Sequence, residues 1–218
     1  MNTGMIRVLS ENSDFLVCLK PAGTDSEHGL PALLAPDHGG SILPVHRLDR
    51  GVSGLMVYAK NRAAAAEFSR LIQAGLFRKE YVACCHGCPP PEGEMRDLLF
   101  KDSGRNKVFV VKRQRAGVRE AVLTYRVLAS GEDRSLVRVR LETGRSHQIR
   151  VQFASRGFPL FGDRKYGARD GCPAPMLFSC LLSFPFGGKE HAFESLPDWA
   201  EGFPPAAPDE CAESTENP

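Results

Sequence analysis

The stretch LPVHRLDRGVSG, residues 43–54, holds one carboxylate between two arginines and follows it with two glycines. Its apolar ends and central Asp-Arg-Gly read as strand, turn, strand. A carboxylate buried alone is expensive, so it shifts its pKa or acquires a partner. Asp49 is therefore either half of a structural ion pair or a working group.

Upstream, FLVCL (15–19) is a short apolar run ended by Lys20-Pro21-Ala22-Gly23, a strand followed by a turn. Residues 24–44 are rich in Gly, Pro, Asp and His and read as loop. Downstream, LMVYAK (55–60) is a strand and Asn61 offers an N-cap. The following RAAAAEFSRLIQA sets Ala64, Phe68, Leu71 and Ile72 on one helical face and stops at Gly75. KEYVACCHG (79–87) alternates as a strand with Tyr81, Ala83 and Cys85 on one side, and PPPEG (89–93) is a turn-rich connection. AVLTYRVL (121–128) and SLVRVRLE (135–142) read as paired strands, Val137, Val139 and Leu141 facing in, Arg138 and Arg140 out. HQIRVQFASRG (147–157) has helical periodicity and a terminal glycine, and from Phe158 onward Gly and Pro leave short strands and loops. Strands outnumber helices without regular alternation. The fold class expected is α+β, a mixed and largely antiparallel central sheet with flanking helices, rather than a doubly wound one.

A chain of 218 residues suits one domain or two small lobes. No apolar run approaches the roughly 18 residues of a membrane span, and the first residues lack the zones of a signal peptide. A cytoplasmic protein away from membranes is expected. Seven cysteines, an odd number without an export signal, argue against a disulfide framework. Cys84-Cys85-His86-Gly87-Cys88 contains a CxxC, but a closed zinc site wants two spaced pairs, and strand alternation turns Cys85 away from Cys84 and His86. The expectation is no metal and buried thiols.

The net charge of +2 hides an asymmetry. Residues 204–218, Pro-rich, carry four acids and no Lys or Arg, which leaves 28 basic against 22 acidic residues in 1–203. The tail is expected to be disordered. Residues 101–119 alone hold seven basic residues against one acid. Such a segment, with Lys112, Arg113 and Arg115 at its centre, suits either a polyanion-binding surface or a solvated basic loop.

KPAG (20–23), HRLDRGVSG (46–54), RKEYVACCHG (78–87), LETGRSHQIRVQFASRGFPLFGDRKYG (141–167) and ESLPDW (194–199) occur in the order and spacing of the RluA-type pseudouridine synthases. The chain resembles that family from about residue 6 to residue 199. The resemblance implies the pseudouridine synthase fold with a catalytic cleft, residues 1–203 as the catalytic domain, and a uridine isomerase acting on RNA without cofactor or metal. The family breaks the N1–C1′ bond of a uridine, turns the detached uracil and rejoins it through C5. Asp49 matches its catalytic aspartate and Arg145 the guanidinium that keeps that acid ionised. Tyr81 matches the tyrosine packed beneath the uracil, and Arg47 the arginine that fills the space of the extruded nucleotide. The implied partner is ribosomal or transfer RNA, met by a monomer; Lys112, Arg113 and Arg115 as RNA contacts follow from charge, not from the family.

Each residue also has a structural reading. Asp49 with Arg145 would serve as a buried pair, His46 as a cap, Tyr81 as a core aromatic, and Asp163 with Tyr166 as a turn. The rival function is a catalytically silent RNA-binding protein of the same fold. A glycosidase would need a second carboxylate paired with Asp49, and the motifs supply none. The chain departs from the family pattern at Gly51-Val52, where an acid and a threonine are usual, and at Phe178 and Phe186, where histidines are usual.

Overall fold

The computed structural model describes residues 6–201, so the acidic tail lies outside the described residues. In chain order the elements are β1 (Val8–Glu11), β2 (Phe15–Lys20), α1 (Gly29–His38), β3 (Leu43–Pro44), β4 (Ser53–Ala59), α2 (Arg62–Gln73) and β5 (Arg78–His86). There follow β6 (Glu92–Asp102), β7 (Lys107–Val111), β8 (Val118–Ser130), β9 (Arg134–Leu141), α3 (Gln148–Ala154), β10 (Leu177–Phe186) and β11 (Lys189–Glu194). They form two compact units. One is built from the described residues up to Lys79 and Phe178–Pro197, the other from Glu80–Leu177 and the described residues from Asp198.

In the first unit the strands run in the order β1-β2-β4-β10-β11, with β3 against the far end of β4. Phe15 opposite Ala59 and Lys20 opposite Gly54 fix the antiparallel register of β2 on β4. The register keeps Phe15, Val17, Leu55 and Val57 in one core. β10 joins β4 in parallel, through Phe178 opposite Ser53 and Ser179 opposite Gly54. A Cβ at Gly54 would lie 2.4 Å from the Ser179 backbone nitrogen, and its φ is +118°, so only glycine allows this approach.

α2 starts where Asn61 accepts the Ala64 N–H at 2.8 Å and buries Ala64, Phe68 and Leu71 as its spacing predicts. Phe68 meets Phe15 edge-on at 6.0 Å, and Phe77 stacks on Phe184 at 5.5 Å. Such ring pairs add about 0.5–1.5 kcal/mol each to the burial itself.

The loop expected over 24–44 is corrected by α1. Leu30 and Leu34, one turn apart, are both buried and outweigh the breakers around them. Pro31 falls in the first turn, where its missing N–H costs nothing, and the Asp25 carboxylate accepts the N–H groups of Glu27, His28 and Gly29.

The second unit is antiparallel, in the order β5-β9-β8-β6-β7. Val137 and Val139 point in as their alternation predicts, and Tyr125 packs on Phe153 of α3 at 5.2 Å. Residues 101–119 are not a plain loop: they complete β6, form β7 and begin β8. A hairpin with charged edges hides its strand character because few of its side chains are buried. β10 is likewise longer than the short strands expected after Phe158. The fold class is α+β, mixed and largely antiparallel, as the sequence implies.

Candidate active site

In the first unit Asp49 sits on a turn whose N- and C-terminal sides are both held by backbone bonds. The Ser26 hydroxyl donates to the Leu48 carbonyl at 2.9 Å and accepts the Leu48 N–H at 3.2 Å. After Asp49, the buried Lys20 ammonium donates to the Arg50 carbonyl at 3.2 Å and to that of Pro21 at 2.9 Å. Gly23 N–H also reaches the Arg50 carbonyl at 2.7 Å, while the Arg50 Nε–H returns to the Gly23 carbonyl at 2.7 Å. Burial lowers the Lys20 pKa to about 8, against the opposing pull of the Asp49 and Asp25 charges. Arg47 on the same turn is exposed and pairs with Glu27 at 3.2 Å.

His46 explains why the turn tolerates a histidine before Arg47. Its Nε2 accepts the Val57 N–H at 3.2 Å, and its ring lies 5.3 Å from Phe77. Burial, helped by the charge of Lys79, pulls its pKa well below the usual imidazole value, so it stays neutral. The stability this contributes is full above the unfolded value near 6.5 and is lost as pH falls below it, by at most about 1.4 kcal/mol per pH unit. We expect thermal melts from pH 7.5 to 5.0 to fall more steeply for the natural protein than for His46→Asn. Parallel slopes would assign the acid lability to other groups.

In the second unit Tyr81 lies on β5 opposite Val139 and is 5% exposed. Arg145 sits on the turn between β9 and α3. The Gln148 carboxamide oxygen accepts its N–H at 3.0 Å and the Thr143 hydroxyl at 2.9 Å, while the Gln148 NH₂ donates to the Val122 carbonyl at 3.0 Å. The Arg145 Nε–H donates to the Glu120 carbonyl at 2.9 Å, and the residue is exposed. Sequence reasoning had assigned nothing to Gln148, Ser26 or the Lys20 side chain. A lysine closing an apolar strand and a glutamine within a buried helix were the available signals.

Asp163, expected only to shape a turn with Tyr166, accepts a buried bidentate fork from Arg150 through bonds of 2.7 and 2.8 Å. The Tyr166 hydroxyl accepts the Val108 N–H of β7 at 2.9 Å and meets His147 Nδ1 at 2.8 Å, tying the basic hairpin to α3. Lys112 and Arg113 are exposed beyond β7, and the Arg115 guanidinium lies 4.6 Å from the centre of the Phe100 ring. Cys84 and Cys85 are buried thiols, each pushed up to about 12 by burial. His86 stacks on Phe161 at 3.7 Å and meets Asp170 at 2.8 Å. Burial of Asp170 opposes its ionisation but is outweighed by the N–H of Gly162, the His86 ring and Cys172, which hold its pKa well below the usual range. The departures from the family pattern serve packing: Val52 is buried, and Phe186 stacks on Phe68 at 5.0 Å.

Two solved structures share this architecture. The human RNA Pseudouridylate Synthase Domain Containing 1 superposes with a TM-score of 0.78 at 23% identity over 90% of this chain and 86% of its own. Its relative Domain Containing 4 gives 0.75 at 24% over 88% and 89%. The fold is that of a pseudouridylate synthase domain.

The model of the family described as RNA pseudouridylate synthase matches residues 14–155, and the chain belongs to that family. An uncharacterized RNA pseudouridine synthase of Bacillus subtilis is 35% identical over 182 residues, 75% of this chain and 58% of the relative. The ribosomal large subunit pseudouridine synthase D of Haemophilus influenzae is 32% identical over 182 residues, 77% of this chain and 55% of the relative. The chain thus spans little more than half the length of these relatives.

Proposed function

We propose that this chain is an RNA pseudouridine synthase with Asp49 as its catalytic carboxylate. The observation that carries the reading is the turn of Asp49, braced through the backbone at Leu48 and Arg50 within a segment that the family match spans. The carboxylate acts as nucleophile at the sugar or base, or as base at C2′. The N1–C1′ bond breaks, the uracil turns, and C5 bonds to C1′; C5 then loses its proton and N1 regains one. Arg145 and Tyr81 take the parts their motifs imply, Tyr81 supporting the uracil from beneath, and Arg47 enters the space of the extruded nucleotide. Arg47 leaves Glu27 at little cost, because an exposed pair is worth about 0–1 kcal/mol.

The substrate is ribosomal or transfer RNA, and the name of the Haemophilus relative, a ribosomal large subunit pseudouridine synthase, favours large-subunit ribosomal RNA. We place the protein in the cytoplasm as a monomer; no described helix is long and apolar enough to cross a membrane. The decisive experiment is tritium release from RNA carrying C5-labelled uridine. An isomerase releases the label, whereas binding without release would make this a silent RNA-binding protein.

Lys112, Arg113 and Arg115 are proposed as phosphate contacts on the hairpin that Tyr166 anchors. Neutralising all three should weaken RNA binding by roughly tenfold or more at moderate salt, and lower the slope of log affinity against log salt by about 2–3. Equal slopes would return the segment to a solvated loop.

A further inference from the structure

The geometry points to Ser26 as a positioning residue that sets the place of Asp49 by clamping the backbone of Leu48. It rests on the reading of Asp49 as the catalytic carboxylate, and it draws on bonds that no motif announces. Ser26 is 2% exposed, and its single hydroxyl serves both backbone groups of one residue, donating to the Leu48 carbonyl and accepting the Leu48 N–H. Leu48 is itself 5% exposed, so water offers neither group an easy replacement.

Ser26 is fixed in turn from two directions. The Tyr58 hydroxyl on β4 donates to the Ser26 carbonyl at 2.8 Å. On its N-terminal side Asp25 accepts three N–H groups at the start of α1, whose buried Leu30 and Leu34 root the segment in the core. Lys20 and Gly23 complete the clamp by holding the Arg50 carbonyl beyond Asp49. A carboxylate that must meet a reacting atom within a few tenths of an ångström needs its backbone held as firmly as this, since a misplacement of about 1 Å can cost about a hundredfold in rate.

The test compares Ser26→Ala with the natural protein in two readouts. In the free protein, amide hydrogen exchange of peptides covering residues 46–52 should accelerate about tenfold or more, with β4 unchanged. In single-turnover tritium release at saturating RNA the rate should fall about tenfold or more, with the RNA dissociation constant within about twofold. A brace that merely stabilises the fold would lower the melting temperature and leave the rate per folded molecule untouched. Unchanged exchange at 46–52, or an unchanged rate, overturns the inference. Should the alanine variant not fold, Ser26→Cys makes the same comparison, keeping the volume and substituting a weaker hydrogen-bonding thiol. Absence of turnover in the natural protein would instead count against the synthase reading, and the exchange measurement would still decide whether the clamp exists.

Discussion

Asp49→Asn is expected to leave a folded, RNA-binding protein whose rate of isomerisation has dropped by about a thousandfold or more. The exchange of one carboxylate oxygen for an amide is nearly isosteric. The turn keeps its shape, because it is held at Leu48 and Arg50 by Ser26, Lys20 and Gly23 through backbone groups that the substitution leaves in place. What is lost is the carboxylate, and a neutral amide serves neither as nucleophile nor as base. Removal of a group that forms or breaks bonds lowers the chemical step far more than binding. Tritium release and RNA affinity, measured on the same preparation, should therefore separate cleanly. Residual turnover above a few per cent of the natural rate would reassign the chemistry to another group.

The largest loss of stability is expected from Asp163→Ala. Asp163 receives the Nε–H and Nη2–H of Arg150 in a buried fork, and a guanidinium does not discharge itself by losing a proton. Deprived of its carboxylate, it stays charged in a poor dielectric, at a cost of about 3–5 kcal/mol. For a protein of this size that lowers the melting temperature by roughly 6–20 °C. Replacing both residues by apolar ones, Arg150→Met with Asp163→Leu, should recover much of the loss, since a buried pair contributes little over a well-packed apolar substitute. A single variant that melts within about 2 °C of the natural protein would show that the pair carries no such load.

Much of the fold could be read from local pattern. Apolar runs located β2 and β4, alternation and pairing located β5, β8 and β9, and Asn61 marked the start of α2, because each of those signals lies in or beside the element it defines. α1 escaped notice because its evidence is only two leucines among turn formers, and their burial depends on distant partners. β7 escaped because few of its side chains are buried, and its Val108 N–H is met by the Tyr166 hydroxyl 58 residues along the chain. The site divides in the same way. Asp49, Tyr81, Arg145 and Arg47 stood out through motifs, whereas Ser26 and Gln148 act on backbone groups 22 and 26 residues away. No spacing rule announces a serine that serves another segment's peptide bond.

The parallel pairing of Ser179 with Gly54 governs how the polypeptide can be made. The first unit draws its strands from both sides of Glu80–Leu177, so β4 must wait for a partner that emerges from the ribosome about 120 residues later. At about 5–20 residues per second that is an interval of roughly 6–25 seconds. Over that interval the strands β5 to β9 of the second unit are made in one uninterrupted stretch, while the edge of β4 at Ser53 and Gly54 still awaits β10. The segment carrying Asp49 is therefore made before β5 to β9, yet its sheet gains β10 only after them.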